Sequence, residues 1–331
     1  MKALIPVAGA GTRLRPFTYT QPKPLIPVAG KPILSYIIDQ LIELGIDEFV
    51  FVIGYLGDKI QAYVEEAYPK LKKHFVLQED RLGSGHAVWL AGEVLGDTKE
   101  LVVVFGDTIL EGKLDHIVGC SKTCMAIKRV DDPRRFGVVE LNGEGLIERM
   151  VEKPQMPRSN QALVGFYKLG DYPALRTQLE QVLAEAAQED GEVTLTDGLM
   201  ALLDAGHPMH AEQVDRWYDC GDAEVLLQTN RTLLDKRSYA ESQTPAFDGT
   251  IFIHPVSIGA NCQISNAIIG PYVSIGDNTV IERSMISDSI VGRYARLEHV
   301  SLKHSVVGND TSLMGQSRAI NIGDNTELTI T

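Results

Sequence analysis

The stretch KALIPVAGAGTRLRP, residues 2–16, carries the strongest structural signal in the chain. Residues 3–7 form an apolar run of strand length, and Gly9 and Gly11 follow it directly. Through residues 1–105, strands of this kind alternate with amphipathic helices. This alternation is typical of a mostly parallel sheet that is covered on both faces. The sequence therefore predicts an α/β fold at its start, with a glycine-rich loop at the carboxyl end of the first strand.

The other elements of the first region follow from periodicity and from start and stop signals. Apolar residues at helical spacing, with Pro32 at the start and Gly45 at the stop, predict a helix over residues 32–44. We expect Ser84 to cap a helix that ends at Gly96. Strands are predicted over residues 48–53, 74–77 and 101–105, β-rich stretches over 123–129 and 136–168, and helices over 171–187, 197–205 and 223–234. The late β-rich stretches predict a mixed sheet.

The residue composition and the periodicity of the sequence change after residue 236. Residues 238–245 are polar and helical periodicity ends after them, so we predict two domains, residues 1–237 and 247–331. Beyond residue 252 an aliphatic residue recurs mostly every five or six positions, and a glycine often follows it. These glycines are Gly259, Gly270, Gly276, Gly292, Gly308 and Gly323. Such hexapeptide spacing predicts a β-helix with glycines at tight corners, and the lack of long period-two runs disfavours a β-sandwich.

Composition and charge exclude several functional classes. The chain has 331 residues, with 31 basic and 44 acidic side chains and a net charge of −13. An acidic protein lacks the broad basic surface that binds nucleic acid or anionic membrane. Its apolar runs are far shorter than the ~20 residues that span a bilayer. Its four cysteines are too sparse for a disulfide framework or a zinc site. We expect a soluble cytoplasmic protein without nucleic-acid or membrane partners.

Cations gather around the glycine-rich loop, and a second segment, QPKPLIPV at residues 21–28, places one of them between two prolines. These cations are Arg13, Arg15, Lys23 and Lys31. Backbone N–H groups of such a loop, together with fixed cations, can bind the oxygens of a triphosphate. A dinucleotide fingerprint fails because Leu14 replaces its third glycine, and a P-loop fails because no Gly-Lys-Ser/Thr follows. A plain surface turn would leave the clustered cations unexplained.

The two quoted segments resemble the opening of the sugar-1-phosphate nucleotidyltransferases, also called nucleotide-sugar pyrophosphorylases. Within that family, the long form of glucose-1-phosphate thymidylyltransferase is the most similar group, and the resemblance covers nearly the whole chain. It implies a Rossmann-like catalytic domain followed by a left-handed β-helix. It also implies that Arg13 and Lys23 contact the reacting phosphates as catalytic residues, and that Gly9, Gly11 and Thr12 line the nucleotide site.

Base recognition is expected in the segment after the third predicted strand. An amide side chain offers both a donor and an acceptor to a pyrimidine edge. The resemblance assigns the base to Gln78 and Gly83, with Ser84 beside them, whereas we expect His86 to pack within its helix. Ala8 stands where thymidylyltransferases commonly have glycine and where uridylyltransferases of glucose-1-phosphate often have alanine. dTTP is favoured by overall likeness, and UTP stays open.

Two acidic residues far apart in sequence are candidate metal ligands. Asp107 ends the central strand within Phe-Gly-Asp, where a carboxylate can hold Mg²⁺ against a phosphate. Asp219 lies in Trp-Tyr-Asp-Cys-Gly, which resembles the family motif Trp-x-Asp-x-Gly. A lone Gly-Asp is usually only a turn, so the second aspartate carries weight. The resemblance implies Mg²⁺ as the cofactor, held by Asp107 and Asp219.

The sugar side is expected on residues whose motifs follow the family order, namely Gly137, Glu152, Lys153 and Gly165. Glu152 can accept hydrogen bonds from sugar hydroxyls, and Lys153 can neutralise the sugar phosphate. A strand-end ion pair is the alternative for these two residues. Thr196 and Asp197 resemble a family pair at a helix start, and we expect them to cap that helix.

These residues predict a Mg²⁺-dependent transferase that joins a pyrimidine NTP to a sugar-1-phosphate, with dTTP and glucose-1-phosphate favoured, and releases pyrophosphate. The alternatives are a UTP-dependent uridylyltransferase for glucose- or N-acetylglucosamine-1-phosphate, and a non-catalytic subunit that binds nucleotide-sugars. Acyl transfer on the β-helix, with His254, His299 or His304 as the base, is a further alternative. We expect the β-helix to join copies of the chain into a homo-oligomer.

Overall fold

The computed structural model describes residues 1–188, 191–236 and 246–315. Contacts divide the chain into two units, Met1–Ile26 with Lys31–Leu226, and Pro27–Gly30 with Leu227–Thr331. The predicted linker, residues 238–245, lies outside the described residues, and so does Gly323.

Most strands of the first region form one sheet. In chain order they are β1 (Lys2–Pro6), β2 (Pro27–Val28), β3 (Lys31–Pro32), β4 (Glu48–Ile53), β5 (Lys72–Leu77), β6 (Leu101–Val104), β7 (Thr108–Glu111), β8 (Thr123–Arg129), β9 (Gly137–Leu141), β10 (Ile147–Glu152), β11 (Gln161–Leu169), β12 (Met209–Gln213) and β13 (Arg216–Asp219). The nine-stranded sheet has the order β10-β9-β11-β6-β1-β4-β5, with β8 beside β11 and β12 beside β8. Because β11 runs antiparallel to β6 while β1 runs parallel to it, the predicted mixed sheet is confirmed.

The helices are α1 (Ile33–Glu43), α2 (Gly57–Ala67), α3 (Gly83–Leu90), α4 (Gly92–Leu95), α5 (Leu114–Val118), α6 (Tyr172–Ala186), α7 (Leu195–Asp204) and α8 (Ala223–Lys236). Within the described ranges, none of them is both long and apolar enough to cross a membrane. The predicted helix from Ser84 to Gly96 is wrong in two respects. It is two helices, and Ser84 lies inside the first turn of α3 rather than at its cap. Its hydroxyl instead accepts a hydrogen bond from the N–H of Leu195, at 2.9 Å, where α7 begins.

The centre of the sheet fixes where loops meet. Leu4 and Ile5 in β1 are fully buried, with β4 on one side and β6 on the other, both parallel to β1. The carboxyl ends of parallel strands lie at the same edge, so the loops after β1 and after β6 are neighbours. Their approach is close, because a Cβ on Gly106 would lie 2.3 Å from Cγ1 of Val7. This edge brings the glycine-rich loop beside Asp107.

The second unit contains a left-handed β-helix whose short strands stack coil on coil. They are β14 (Ile251–Phe252), β15 (Val256–Ile258), β16 (Gln263–Ser265), β17 (Ile268–Ile269), β18 (Val273–Ile275), β19 (Val280–Glu282), β20 (Met285–Ser287), β21 (Ser289–Val291), β22 (Arg296–Glu298), β23 (Ser301–Lys303), β24 (Val306–Val307) and β25 (Ser312–Met314). They form three parallel four-stranded sheets, β14-β17-β20-β23, β15-β18-β21-β24 and β16-β19-β22-β25. Ile264, Ile281 and Leu297 are paired in register and buried inside.

Three of the glycines predicted at tight corners of the β-helix have a different role. Gly270 does adopt a left-handed conformation, with φ of 111°. Gly259, Gly276 and Gly292 do not; a Cβ on any of them would lie within 2.7 Å of backbone in the next coil. Other residues occupy the left-handed corners, among them Asn261. These glycines therefore permit close stacking of coils rather than tight turning.

The last part of α8 groups with the β-helix through polar contacts. Nδ2 of Asn230 donates to the carbonyl of Tyr272 at 3.1 Å, and its Oδ1 accepts from the hydroxyl of Ser274 at 2.6 Å. Arg231 donates to Asp288 at 2.6 Å. These bonds explain why the second unit starts within α8, before the predicted linker.

Candidate active site

A cavity of about 500 Å³ opens at the carboxyl edge of the sheet, in the first unit. Among the residues that line it are nine of the predicted site residues: Gly9, Gly11, Thr12, Arg13, Lys23, Gln78, Gly83, Ser84 and Asp107. These residues are far apart in sequence, but they follow parallel strands whose carboxyl ends lie at the same edge of the sheet, so they line one cavity. The residues predicted to bind the nucleotide therefore line a single cavity.

The glycine-rich loop forms one wall of this cavity. Gly11 has a left-handed φ of 61°, and its carbonyl accepts a hydrogen bond from the Thr18 hydroxyl at 2.9 Å. A Cβ on Gly11 would lie 3.0 Å from Cβ of Lys23, so glycine permits the close approach of the two segments. A Cβ on Gly9 would meet no atom within 4 Å. The wall therefore leaves room at Gly9 for a ligand to approach the backbone.

Four charged residues converge beside the loop. Lys23 is only 8% exposed, and its ammonium donates to Asp107 in a short ion pair. The same nitrogen lies 4.0 Å from Oδ1 of Asp219, and Nη1 of Arg13 lies 3.8 Å from the other oxygen of that carboxylate. Asp107, Asp219, Lys23 and Arg13 thus form one charged cluster, called the aspartate corner below. A phosphate could bind the two basic side chains there, and a metal cation could bind the two carboxylates.

The two aspartates are adjacent because β13 pairs with β7, which starts directly after Asp107. Asp219 stands opposite Thr108 in that antiparallel pair, and the N–H of Cys220 donates to the carbonyl of Asp107 at 3.1 Å. Burial raises the pKa of Asp107, but Lys23 and Arg13 outweigh burial and lower that pKa below its ordinary value. Burial and the charge of Asp107 raise the pKa of Asp219. Burial and the charge of Asp107 thus oppose ionisation of Asp219, and a further cation beside it would stabilise its charged form.

The predicted base-binding residues lie directly after β5 and in the first turn of α3. Gln78 is buried, and its amide nitrogen donates to the carbonyl of Gly83 at 3.1 Å. Gly83 has φ of 95°, and a Cβ there would lie 2.2 Å from the carbonyl oxygen of Val193, so no other residue could occupy this position without moving the backbone. Arg81 also lines the cavity, with its guanidinium 5.6 Å from the centre of the Tyr55 ring.

The predicted sugar residues lie together at the β9–β10 pair. Gly137 is opposite Glu152, whose Oε2 accepts from the Thr196 hydroxyl at 2.8 Å. A Cβ on Gly137 would lie 3.0 Å from that carboxylate oxygen. Lys153 lies 3.6 Å from Oε1 of Glu152, with its side chain 65% exposed. The alternative ion pair between Lys153 and Glu152 thus forms. Because the Lys153 side chain is exposed, a ligand could displace it from Glu152.

The fourth sugar residue, Gly165, links this group to the cavity. Its carbonyl accepts from the N–H of Phe105 at 2.9 Å, and a Cβ on it would lie 3.0 Å from the Phe105 ring. A Cβ on Gly165 would also lie 2.9 Å from Oγ1 of Thr108, the residue that stands opposite Asp219. Phe105 lines the cavity, with its ring centre 5.6 Å from that of Tyr167. The sugar residues are therefore next to the aspartate corner.

Two sequence-based expectations about neighbouring residues need correction. Asp197 does take part in capping α7, as expected, through a capping box with Thr194, but Thr196 does not cap the helix and bonds to Glu152 instead. Lys31 does not line the cavity, because it donates to Asp39 at 2.5 Å and lies over the Tyr36 ring.

The sequence reasoning also missed residues that the structure places at the site. Arg81, Glu192 and Gly221 line the cavity, and the charge of Arg135 acts on Asp219. Arg81 stands between two predicted site residues and could have been found as a cation in an acidic segment. Nothing in the spacing of Glu192 or Arg135 indicates the cavity.

Comparison with known proteins gives matches over most of the chain. The sequence matches the family described as Nucleotidyl transferase over residues 2–236, a range that includes every cavity residue. It is 31% identical to a glucose-1-phosphate thymidylyltransferase of Streptomyces griseus, over 93% of this chain and 92% of that protein. It is 37% identical to the bifunctional protein GlmU of Methanococcus maripaludis, over 71% of this chain and 55% of that protein. A solved structure of UDP-glucose pyrophosphorylase complexed with UDP-glucose aligns with a TM-score of 0.62 at 26% identity, covering 71% of this chain and 99% of that one.

Proposed function

We propose substrates and a mechanism for this chain on one premise: it belongs to the nucleotidyl transferase family and is a sugar-1-phosphate nucleotidyltransferase. The nucleotide is a pyrimidine triphosphate, with dTTP favoured, and the acceptor is glucose-1-phosphate. The observation that carries the proposal is the contact of Lys23 with Asp107, close to Asp219, in the same cavity that Gln78 lines. The relative from Streptomyces griseus supports the choice of substrates by its name.

The reaction needs alignment and charge stabilisation. A phosphate oxygen of the sugar-1-phosphate attacks the α-phosphorus of the nucleotide, and the bond from that phosphorus to the bridging oxygen of the β-phosphate breaks. Pyrophosphate leaves with the electron pair of that bond. The attacking oxygen is already anionic at neutral pH, so no general base and no covalent enzyme intermediate is assigned.

The basic residues of the corner supply part of the charge stabilisation. Lys23 is held by burial and by its carboxylate partners, so its ammonium is oriented before substrate arrives. Arg13 is half-exposed, with room to turn from Asp219 toward the phosphates. Fixed cations that meet charge as it develops on the transferring group lower the barrier more than mobile ones. Backbone N–H groups of the glycine-rich loop are placed to hold the departing phosphates.

The aspartate corner suits Mg²⁺. Asp107 and Asp219 offer carboxylate oxygens, the ligands that Mg²⁺ prefers, and burial together with the charge of Asp107 raises the pKa of Asp219. A bound Mg²⁺ would neutralise charge on the α-phosphate and on the pyrophosphate leaving group. We therefore assign both carboxylates as ligands and Mg²⁺ as the cofactor.

The sugar-1-phosphate is assigned to the β9–β10 pair. Glu152 has its Oε2 bonded to Thr196, which orients the carboxylate as an acceptor for sugar hydroxyls. Lys153 can leave Glu152 for the sugar phosphate, because its side chain is largely exposed. Gly137 keeps the space beside the Glu152 carboxylate free of a Cβ, and Gly165 does the same beside Thr108 and Phe105.

UTP is the second candidate nucleotide, on a specific observation. Ala8 lines the cavity in place of the glycine common in thymidylyltransferases, and a relative of similar fold is named as a UDP-glucose pyrophosphorylase.

We place the reaction in the cytoplasm, since all four cysteines are free thiols, as is usual in a reducing compartment. We further assign homo-oligomer formation to the β-helix.

The proposal is tested with a matrix of the four common ribonucleoside triphosphates and dTTP against several sugar-1-phosphates, with Mg²⁺, by measuring pyrophosphate release. The highest kcat/KM is expected for dTTP with glucose-1-phosphate, followed by UTP. A clear preference for ATP or GTP would contradict the pyrimidine assignment, and a clear preference for UTP would replace dTTP with the second candidate.

A further inference from the structure

We propose that His86 is a positioning residue that holds the amide of Gln78 in one orientation, with its oxygen toward the nucleotide base. The cavity thereby selects uracil or thymine over cytosine. This inference rests on the proposed function, because it concerns the base of the nucleotide assigned there.

The orientation of the amide follows from its neighbour Gly83. One terminal atom of the Gln78 amide lies 3.1 Å from the Gly83 carbonyl oxygen. A carbonyl oxygen can only accept a hydrogen bond, so that terminal atom is the NH₂ group. The carbonyl itself is held in place, because Gly83 packs against Val193, whose own carbonyl accepts from the N–H of Gly85 at 2.9 Å. The Gly83 carbonyl therefore favours this orientation of the amide and engages one of its two N–H groups.

The same NH₂ group lies 3.0 Å from Nδ1 of His86. Because Gln78 must donate in this bond, Nδ1 must accept, and the ring proton is on Nε2. The ring stacks on Trp89 with centres 5.9 Å apart. Burial lowers the pKa of His86, which favours the neutral ring that this arrangement needs. His86 thus has a polar role, which differs from the helix-packing role expected from sequence.

This arrangement leaves the amide oxygen of Gln78, Oε1, available to a ligand. Within the described residues, both donors of the Gln78 amide have partners, and no hydrogen bond to Oε1 is formed. Gln78 lines the cavity, so Oε1 is the atom it can offer to a ligand, and only as an acceptor. Uracil and thymine carry a ring N3–H donor that matches this acceptor. Cytosine has an unprotonated N3, which would place two acceptors against each other.

The first test measures binding, so that it does not depend on turnover. The dissociation constants of UTP and CTP are determined by calorimetry for the wild-type chain and for His86→Leu, His86→Asn and, as the control, His116→Leu, an exposed histidine in α5. His86→Leu should lower the ratio Kd(CTP)/Kd(UTP) about tenfold, because one of the two hydrogen bonds that hold the amide is lost and only the Gly83 carbonyl then opposes a turn of the amide toward cytosine. His86→Asn, whose side-chain oxygen can accept near the position of Nδ1, should restore most of the ratio. The control should match wild type.

The result that overturns the inference is a His86→Leu variant with the wild-type ratio, or a wild-type chain that binds CTP as tightly as UTP. A second measurement covers the case in which His86→Leu does not fold. N3-methyl-UTP lacks the ring donor, and it should bind the wild-type chain at least about tenfold more weakly than UTP. Equal binding of the two would overturn the inference. Lack of pyrophosphate release with every substrate pair would instead contradict the proposed function.

Discussion

Two lysines of one basic segment show how surroundings decide the role of a residue. Lys23 is buried against Asp107 and near Asp219, whereas Lys31 pairs with Asp39 outside the cavity. Both are cations in sequence, and only the fold separates them. The contact with the aspartate corner makes Lys23 the one that can act on the reacting phosphates.

Lys23→Ala should therefore lower kcat by about 10²- to 10³-fold, the range typical for loss of one group that stabilises charge in the transition state. Lys31→Ala is the matched control and should keep kcat within a few-fold of wild type. Both values come from steady-state pyrophosphate release with saturating substrates. Equal and mild effects at the two positions would favour a solvated loop without a catalytic role.

The aspartate corner gives a second prediction at this scale. Asp107→Ala and Asp219→Ala should each reduce Mg²⁺-dependent turnover by several orders of magnitude, because each removes a carboxylate ligand of the ion. Circular dichroism should show that the fold persists. The exposed aspartate Asp115 provides the control, as Asp115→Ala leaves the corner intact. Full activity with Mg²⁺ in either corner variant would refute the metal assignment.

At the scale of elements, the β-helix depends on coils that approach each other closely. Gly276 is a good example, since a Cβ there would lie 2.6 Å from the backbone nitrogen of Arg293 and 2.7 Å from the carbonyl carbon of Gly292. Backbone atoms of a stacked coil cannot turn aside as a flexible side chain can. The coil spacing must therefore change if a side chain is added.

Gly276→Ala should lower the free energy of unfolding by roughly 1–3 kcal/mol, the usual cost of inserting atoms into a packed region. Gly143→Ala is the control: its Cβ would meet no atom within 4 Å, and the effect should be within about 0.5 kcal/mol. Urea denaturation followed by circular dichroism gives both values. Equal stability of the two variants would mean that coil stacking tolerates the extra atom.

Elements with a strong period were predictable from sequence, and contacts between elements were not. The strands at residues 48–53 and 123–129 and the helix α1 were predicted almost to the residue, because their apolar patterns are continuous. α2 was missed, since it buries little beyond Ile60 and Val64 among polar residues. Ser84 was placed as a local cap because the sequence gives no sign of its distant partner Leu195.

The candidate site divides in the same way. Gly11, Lys23 and Gln78 were found because the loop and strand-end motifs are local, and the parallel sheet then brings them together. The adjacency of Asp107 and Asp219 came from the resemblance to a family, since nothing in their separation predicts that β7 and β13 pair. Arg135 and the polar role of His86 depend on three-dimensional neighbours and needed the structure.

For the whole molecule, the charge distribution matters more than the total charge. The chain has a net charge of −13, yet Arg13, Lys23 and Arg81 line the cavity. These three cations, one of them paired with Asp107, attract anionic substrates to the cavity of a protein whose total charge repels them. This arrangement suits a reaction between two phosphate esters.

The β-helix is expected to serve assembly and stability, because all assigned site residues precede it in sequence. Ending the chain after Lys236 should lower the oligomeric mass and the melting temperature while detectable nucleotidyl transfer remains. Multi-angle light scattering and a thermal melt provide the measurements, with the full-length chain as reference. An unchanged oligomer after truncation would refute the assembly role.

Two of the three histidines considered for acyl transfer, His299 and His304, have other contacts in the structure. His304 lies 2.7 Å from Asp288, which also binds Arg231, and His299 lies 3.4 Å from Arg283. Consumption of acetyl-CoA by the full-length chain in the presence of a sugar phosphate would nevertheless establish that second activity.

The central claim is attack of a sugar-1-phosphate on the α-phosphorus of a pyrimidine triphosphate, and isotope transfer tests it most directly. The chain is incubated with Mg²⁺, glucose-1-phosphate and dTTP labelled at the α-phosphorus, and the products are separated by chromatography. The account predicts that the label appears in dTDP-glucose, with one unlabelled pyrophosphate released for each product and no label on the protein. Label in dTMP, label bound to the protein, or no conversion with either dTTP or UTP would contradict it.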